Sequence, residues 1–260
     1  MMLDGEVVVI SGVGPGLGAR LAAGAAAQGA KVVLAARSTE VVDQEVRRIT
    51  DLGGEALGVS CDVRKPDEAD ALVAAAVERF GAITGLVNSA YGHPGFGDLL
   101  DAPEKALRRS MDIILFGALN MTRAVVPQMR AAGRGSVVNI GTMTTRKPMR
   151  GDGGYAVAKA AMTAATRSLA LELGEHGIRV NQAAMGWLDG PGVRFHLKMT
   201  AEQRGISEQE VYDEIAARNP LGRIPTDEDC TGPVLFLLSR HASEVTGATL
   251  DVNGGEYMPA

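Results

Sequence analysis

The sequence predicts an α/β fold, a doubly wound parallel sheet of about seven strands with helices on both faces. Short β-branched runs alternate with Ala-rich helical stretches along the chain. Most of the β-branched runs are apolar at consecutive positions, as expected of strands buried on both faces. A glycine-rich turn, GVGPGLG at 12–18, lies between the first strand and the first helix.

Strands are expected at EVVVIS (6–11), KVVLAA (31–36), EALGVS (55–60), TGLVNS (84–89), GSVVNIG (135–141), IRVNQA (178–183) and ATLDVN (248–253). Between them, helices are expected near 17–28, 38–52, 66–80, 103–130, 153–175 and 226–239. No linker-like composition, charge block or internal repeat interrupts the order, so residues 1–260 read as one domain. One segment breaks the rhythm. After the sixth strand, residues 187–222 pass before the next sheet-packing helix, with a helical middle, SEQEVYDEIAAR. Ser207 stands where it can cap that helix, with Glu210 three residues on. A connection this long, leaving the carboxyl end of a strand, is expected to be a lid over a ligand site.

Composition excludes several classes of function. The chain is 46% hydrophobic, enough for a substantial core. Its net charge of −5 offers no basic patch, so nucleic acid is not an expected partner. Cys61 and Cys230 form neither a disulfide framework nor a metal-ligand spacing, which points to small buried residues in a reducing, cytoplasmic setting. No run approaches the ~18 apolar residues of a membrane span. The opening MMLDGEVVVI has no basic region or cleavage site, so no leader is expected. His, Asp and Glu nowhere cluster at metal-ligand spacing, so no metal is expected.

Gly12, Gly14, Gly16 and Gly18 let a backbone turn tightly and approach a pyrophosphate, while the following helix offers free N–H groups and a positive dipole end. A glycine pattern alone is weak; this one has the strand–turn–helix context of a Rossmann-type dinucleotide site. At the end of the second strand, VVLAARS, an acid would bond the adenosine ribose and repel a 2′-phosphate. Ala36 and Arg37 stand there instead, and a guanidinium matches phosphate with two parallel charge-assisted bonds. NADP(H) is therefore the expected cofactor, with NAD(H) as the alternative. Further on, GDGGYAVAK places Tyr155 four residues ahead of Lys159, on one face of a helix.

These motifs together resemble the short-chain dehydrogenase/reductase family. Its loop is similar to Gly12-x-x-x-Gly16-Leu17-Gly18, its adenine-contacting pair to Asp62-Val63, and its Asn-Asn-Ala-Gly element to Asn88-Ser89-Ala90-Tyr91. Tyr155-x-x-x-Lys159 resembles its catalytic motif and TGATLDVNGG its final strand. The resemblance implies that Tyr155 exchanges the alcohol proton while hydride passes to or from the nicotinamide. It also implies that Lys159 bonds the nicotinamide ribose and favours the phenolate, since a free tyrosine with pKa near ~10 is a poor base at neutral pH. Gly186 and Leu188 would meet the carboxamide through their main chain. The implied assembly is a homodimer or homotetramer, with the helices near 103–130 and 153–175 at one interface.

Three positions depart from the family pattern. Thr142 stands thirteen residues before Tyr155, where a serine usually holds the substrate oxygen. Its hydroxyl keeps the same donor and acceptor sites, but its methyl narrows the pocket. Ile114 in MDIILFG occupies the place of an asparagine that supports a proton-relay water, and Met185 that of a proline. The substrate pocket is expected among Tyr91, His93, Phe96, Met143, Thr144, Met149, Trp187, Phe195 and Met199. This apolar set suits a hydrophobic secondary alcohol or ketone, cyclic ones included. For His93 and His196, plain polar loop positions are the simpler reading. The expected activity is an NAD(P)(H)-dependent short-chain alcohol dehydrogenase or ketoreductase. Two alternatives stay open, a dinucleotide sensor or scaffold with weakened catalysis and a non-redox lyase or epimerase on the same fold.

Overall fold

A computed structural model describes residues 1–259. Seven segments form strands: β1 (Val7–Ser11), β2 (Lys31–Ala36), β3 (Ala56–Ser60), β4 (Gly85–Asn88), β5 (Gly135–Thr142), β6 (Ile178–Met185) and β7 (Thr249–Val252). They pair in parallel in the order β3-β2-β1-β4-β5-β6-β7. The order reverses between β1 and β4, which opens a crevice at their carboxyl ends. Every expected strand is present to within two residues.

The helices are α1 (Leu17–Ala27), α2 (Thr39–Asp51), α3 (Pro66–Phe80), α4 (Glu104–Met111), α5 (Gly117–Ala132), α6 (Gly153–Leu173), α7 (Pro191–Arg204), α8 (Glu208–Ala216) and α9 (Thr231–Leu238). Successive side chains of a strand point to opposite faces, which explains the unbroken apolar runs. Val8 and Ile10 of β1 face a layer made by α1, α2 and α9, with Leu21, Val42 and Leu235 in it. Val7 and Val9 face the other layer, made by α3, α5 and α6, with Leu72, Met121 and Leu173 in it. Each fully buried residue of this size contributes about 1.5–3 kcal/mol.

Two elements differ from the sequence reading. The helix expected over 103–130 is interrupted by a π-helical turn, Asp112–Phe116, between α4 and α5. The connection after β6 holds two helices rather than one, because Pro191 starts α7 in its first turn, where a missing N–H costs nothing. Ser207 and Glu210 do form a capping box on α8. α7 and α8 share a small core of their own around Leu197, Ala201, Val211 and Ile215, with Trp187 packed against it.

Candidate active site

The turn from β1 into α1 is held by two glycines, Gly12 and Gly18, that cannot carry a side chain. Gly12 has φ +83°, and a Cβ there would lie 2.5 Å from the Ala90 Cα. A Cβ on Gly18 would lie 2.5 Å from the Gly12 carbonyl oxygen. Around Gly14, by contrast, there is open space within 4 Å, so a ligand can approach the backbone itself. Gly16 is the N-cap of α1 and supplies no capping side chain, and the first turn holds no acid. Its N–H groups are thus left for an anion, next to buried Leu17. These features fit the pyrophosphate of a dinucleotide.

Asp62 and Val63 follow β3 on a firmly tied segment. Arg64 Nε donates to Asp62 Oδ1 at 2.9 Å, and the pairing holds the carboxyl well below its ordinary range, at about 2. The Asp62 amide donates to Glu68, and the Val63 carbonyl accepts from Asn120. Arg37 at the end of β2 is exposed, has no carboxylate partner among the described residues, and lines a cleft of about 500 Å³ with Tyr91, His93, Lys105 and Arg109.

Asn88 ties strands together rather than facing the crevice. Its Nδ2 donates to Asn139 Oδ1 at 2.9 Å, and its Oδ1 accepts from the Ser11 hydroxyl. Asn139 in turn donates to Thr166 of α6 at 2.9 Å. The Ser89 amide donates to the Ser11 carbonyl, and Ala90 closes against Gly12. A buried amide chain therefore links the strand bearing the glycine loop to the helix bearing Tyr155.

On α6, Tyr155 is half-buried and Lys159 fully buried one turn further on, its Nζ 5.6 Å from the tyrosine ring centroid. Lys159 Nζ donates to the Ile140 carbonyl at 2.5 Å. Burial pulls the lysine down to about 7. Burial, with Tyr91 and Asp152 adding to it, pushes the Tyr155 phenol above its ordinary value. In the protein alone, the phenol is thus held protonated, the opposite of the direction expected from a neighbouring ammonium. Thr142, buried at the end of β5, accepts a bond from the Thr144 amide at 3.3 Å. Ile114 lies within the π turn and forms an apolar cluster with Ala118, Ala158 and Met162, against which Tyr155 packs.

The expected pocket residues do not all gather. Tyr91 and His93 come to Tyr155, with ring centroids 5.6 and 5.2 Å away. Phe96 reaches His93 at 4.4 Å and His196 of α7 at 6.1 Å, and His196 reaches Trp187 at 5.1 Å. The Trp187 indole N–H is buried without a partner. Met143 is fully buried, Met149 half-buried, and Phe195 is 64% exposed, so the lid residue that meets the aromatic row is His196. Gly186 is pressed against Asn253, and the Leu188 carbonyl accepts from Gly190. Sequence reasoning missed Asp152, whose Oδ1 lies 2.8 Å from His93 Nε2, and set both histidines aside as polar loop residues. An acid directly before the catalytic helix was the available signal for Asp152. Nothing in MDIILFG announced the π turn.

A parallel sheet with this crossover, a glycine-cradled anion site and a Tyr–Lys pair beside it define a nicotinamide-dependent oxidoreductase. The family model described as enoyl-(acyl carrier protein) reductase matches residues 12–256. Dehydrogenase/reductase SDR family member 4 of Bos taurus is 35% identical over 254 residues, 97% of this chain and 88% of that one. L-Sorbose reductase from Gluconobacter frateurii, solved with NADPH and L-sorbose, superposes with a TM-score of 0.93 at 28% identity over 100% of both chains. A variant of actinorhodin polyketide ketoreductase, solved with NADPH, superposes with a TM-score of 0.90 at 31% identity over 96% of this chain and 97% of that one. The chain belongs to the short-chain dehydrogenase/reductase family.

Proposed function

We propose that this protein is an NADP(H)-dependent ketoreductase or alcohol dehydrogenase, interconverting a hydrophobic secondary alcohol and its ketone with Tyr155 as general acid and base. The observation that carries the reading is a phenol and a buried lysine, Nζ 5.6 Å from its ring, at the carboxyl ends of β4 and β5 beside the glycine loop. Gly14, Gly16 and the N-terminus of α1 would hold the pyrophosphate, Asp62 and Val63 the adenine, and Arg37 the 2′-phosphate. Arg37 favours NADP(H) over NAD(H), and the two NADPH-bound neighbours support the same choice. When bound, the nicotinamide supplies or accepts the hydride.

The protein's own groups handle the oxygen and its proton. In reduction Tyr155 donates its phenolic hydrogen to the carbonyl oxygen as negative charge develops there. The Lys159 ammonium stabilises the phenolate that remains. The Thr142 hydroxyl, already an acceptor for the Thr144 amide, keeps its own hydrogen to orient the substrate oxygen. Tyr91, His93, Phe96 and Trp187 form an aromatic wall suited to an apolar ring, and residues 187–222 act as its lid within a single catalytic domain. The exposed apolar side chains of α6 and the preceding π turn, Val157, Leu171 and Phe116, suit pairing with a second copy, which sedimentation would reveal as a dimer or tetramer.

Loss of reduced-nicotinamide absorbance with NADPH and a panel of cyclic and aromatic ketones tests the reading. Tyr155→Phe should abolish that loss and leave NADPH affinity unchanged. Binding of NADPH without consumption by any ketone would favour a dinucleotide sensor instead.

A further inference from the structure

Asp152 is the N-cap residue of α6, yet its side chain makes no capping bond. Aspartate at this position ordinarily accepts from the free amides of the first turn. Here the carboxylate turns away, and Oδ1 lies 2.8 Å from His93 Nε2, both side chains being only 11% exposed. The Gly95 amide donates to His93 Nδ1 at 3.1 Å, so Nδ1 is an acceptor and the ring proton sits on Nε2, directed at Asp152. The same imidazole stacks on the Tyr155 ring, with planes 28° apart and centroids 5.2 Å apart. His93 is thereby locked between the Gly95 amide, Asp152 and the Tyr155 ring by two directional hydrogen bonds and a ring stack, at the cost of a helix cap.

We propose that His93 and Asp152 form a positioning pair for the catalytic tyrosine. The imidazole braces the phenol ring from one face and fixes the Asp152 carboxylate beside it, so that the negative charge opposes loss of the phenolic proton. The proposal rests on the role assigned to Tyr155 above. The effect is to keep the Tyr155 phenol protonated until the carbonyl oxygen takes its proton, and to delay its ionisation when the reaction runs toward the ketone.

The other groups around Tyr155 are few. Lys159 of the same helix brings a cation to 5.6 Å from the ring centroid. Tyr91, its ring centroid 5.6 Å from that of Tyr155 and 6.2 Å from that of His93, opposes the phenolate as Asp152 does. Met111 of α4, Ile114 of the π turn and Ala118 of α5 are apolar. The turn after β5 brings Thr142, Met143 and Thr144, none of which titrates in the working range. On the lid, His196 is separated from Tyr155 by Phe96 and His93. Outside His93, the cleft holds Arg37, Lys105 and Arg109, whose charges act against that of Asp152 across a solvent-filled space.

The test is the pH profile of alcohol oxidation by the full chain with NADP⁺, where the rate rises as Tyr155 gives up its proton. Asp152→Asn keeps an acceptor for His93 and removes the charge, so the rising limb should move to lower pH by about one unit. Asp152→Ser removes the charge and restores a good helix cap, so it provides a second neutral variant that folds and should shift the limb in the same direction. His93→Ala should lower kcat about tenfold through loss of positioning, with the NADPH dissociation constant unchanged. A limb unmoved in both Asp152 variants, or an unchanged kcat in His93→Ala, overturns the proposal. Tyr155→Phe separates the two levels: if it stays active, the role of Tyr155 itself has failed, and if it is inactive, only the pair is in question.

Discussion

The glycine loop, proposed above to receive the dinucleotide, and the aromatic row, proposed to receive the substrate, are built on different principles. At the glycine loop, specificity is steric and lies in the backbone. Gly12 and Gly18 sit where any Cβ would strike another main-chain atom, and Asn88 is consumed in bracing strands. In the aromatic row, the surface is made by neighbouring side chains, with Tyr91 66% and Phe96 71% exposed. A backbone cradle tolerates almost no substitution. An aromatic row on loops tolerates much, and can be re-lined for other substrates without disturbing the sheet.

The contrast can be broken most directly at Gly12. Gly12→Val combines a left-handed backbone with a clash against Ala90, and should cost more than about 3 kcal/mol and remove NADPH binding. Thermal melting and a nucleotide titration would show it, and a normal melt with normal binding would erase the distinction between the two regions. The next effect lies at the seam. Lys159 is buried down to about 7, so its ammonium is complete below that pH and lost above it. Since the ammonium stabilises the phenolate left after proton donation, kcat/KM for ketone reduction should fall about tenfold per pH unit above 7. Lys159→Met should be slow at every pH and lack that step. A smaller change is expected at Arg37, where Arg37→Ser should weaken NADPH about tenfold and leave NADH unchanged. An equal loss for both nucleotides would deny it the phosphate role. The smallest belongs to the substrate wall: Phe96→Ala should alter stability by less than about 0.5 kcal/mol, because the ring is mostly exposed. Its KM for a cyclic ketone should rise a few-fold, and an unchanged KM for every ketone would remove Phe96 from the wall.

What could be read in the sequence divides along the same line. The strand runs, the glycine loop, Arg37 and the Tyr155–Lys159 spacing are local patterns, each tied to a backbone period or a single turn, and the observed elements follow them closely. The π turn at Asp112–Phe116 depends on how Tyr155, Ala158 and Ile114 pack across helices, which no local pattern encodes. The meeting of His93 with Asp152 joins residues 59 apart in the chain, and so depends on how the loop after β4 lies against the start of α6. α7 was invisible for a different reason. Its sequence, PGVRFHLKMTAEQR, buries only Leu197 and Ala201, too narrow a stripe to give a clear helical period. The rise of the Tyr155 phenol also could not be read, since burial is a property of the assembled site.

The buried bonds from Ser11 through Asn88 and Asn139 to Thr166 have a consequence for how such a molecule diversifies. They run across the middle of the sheet and act as a spacer between the glycine loop and the helix that carries Tyr155. With that spacer set, the separation between the glycine loop and the Tyr155 phenol does not depend on residues 187–222. On the reading proposed above, residues 187–222 could be exchanged, lengthened or re-lined as an interchangeable front end while that internal ruler stays the same.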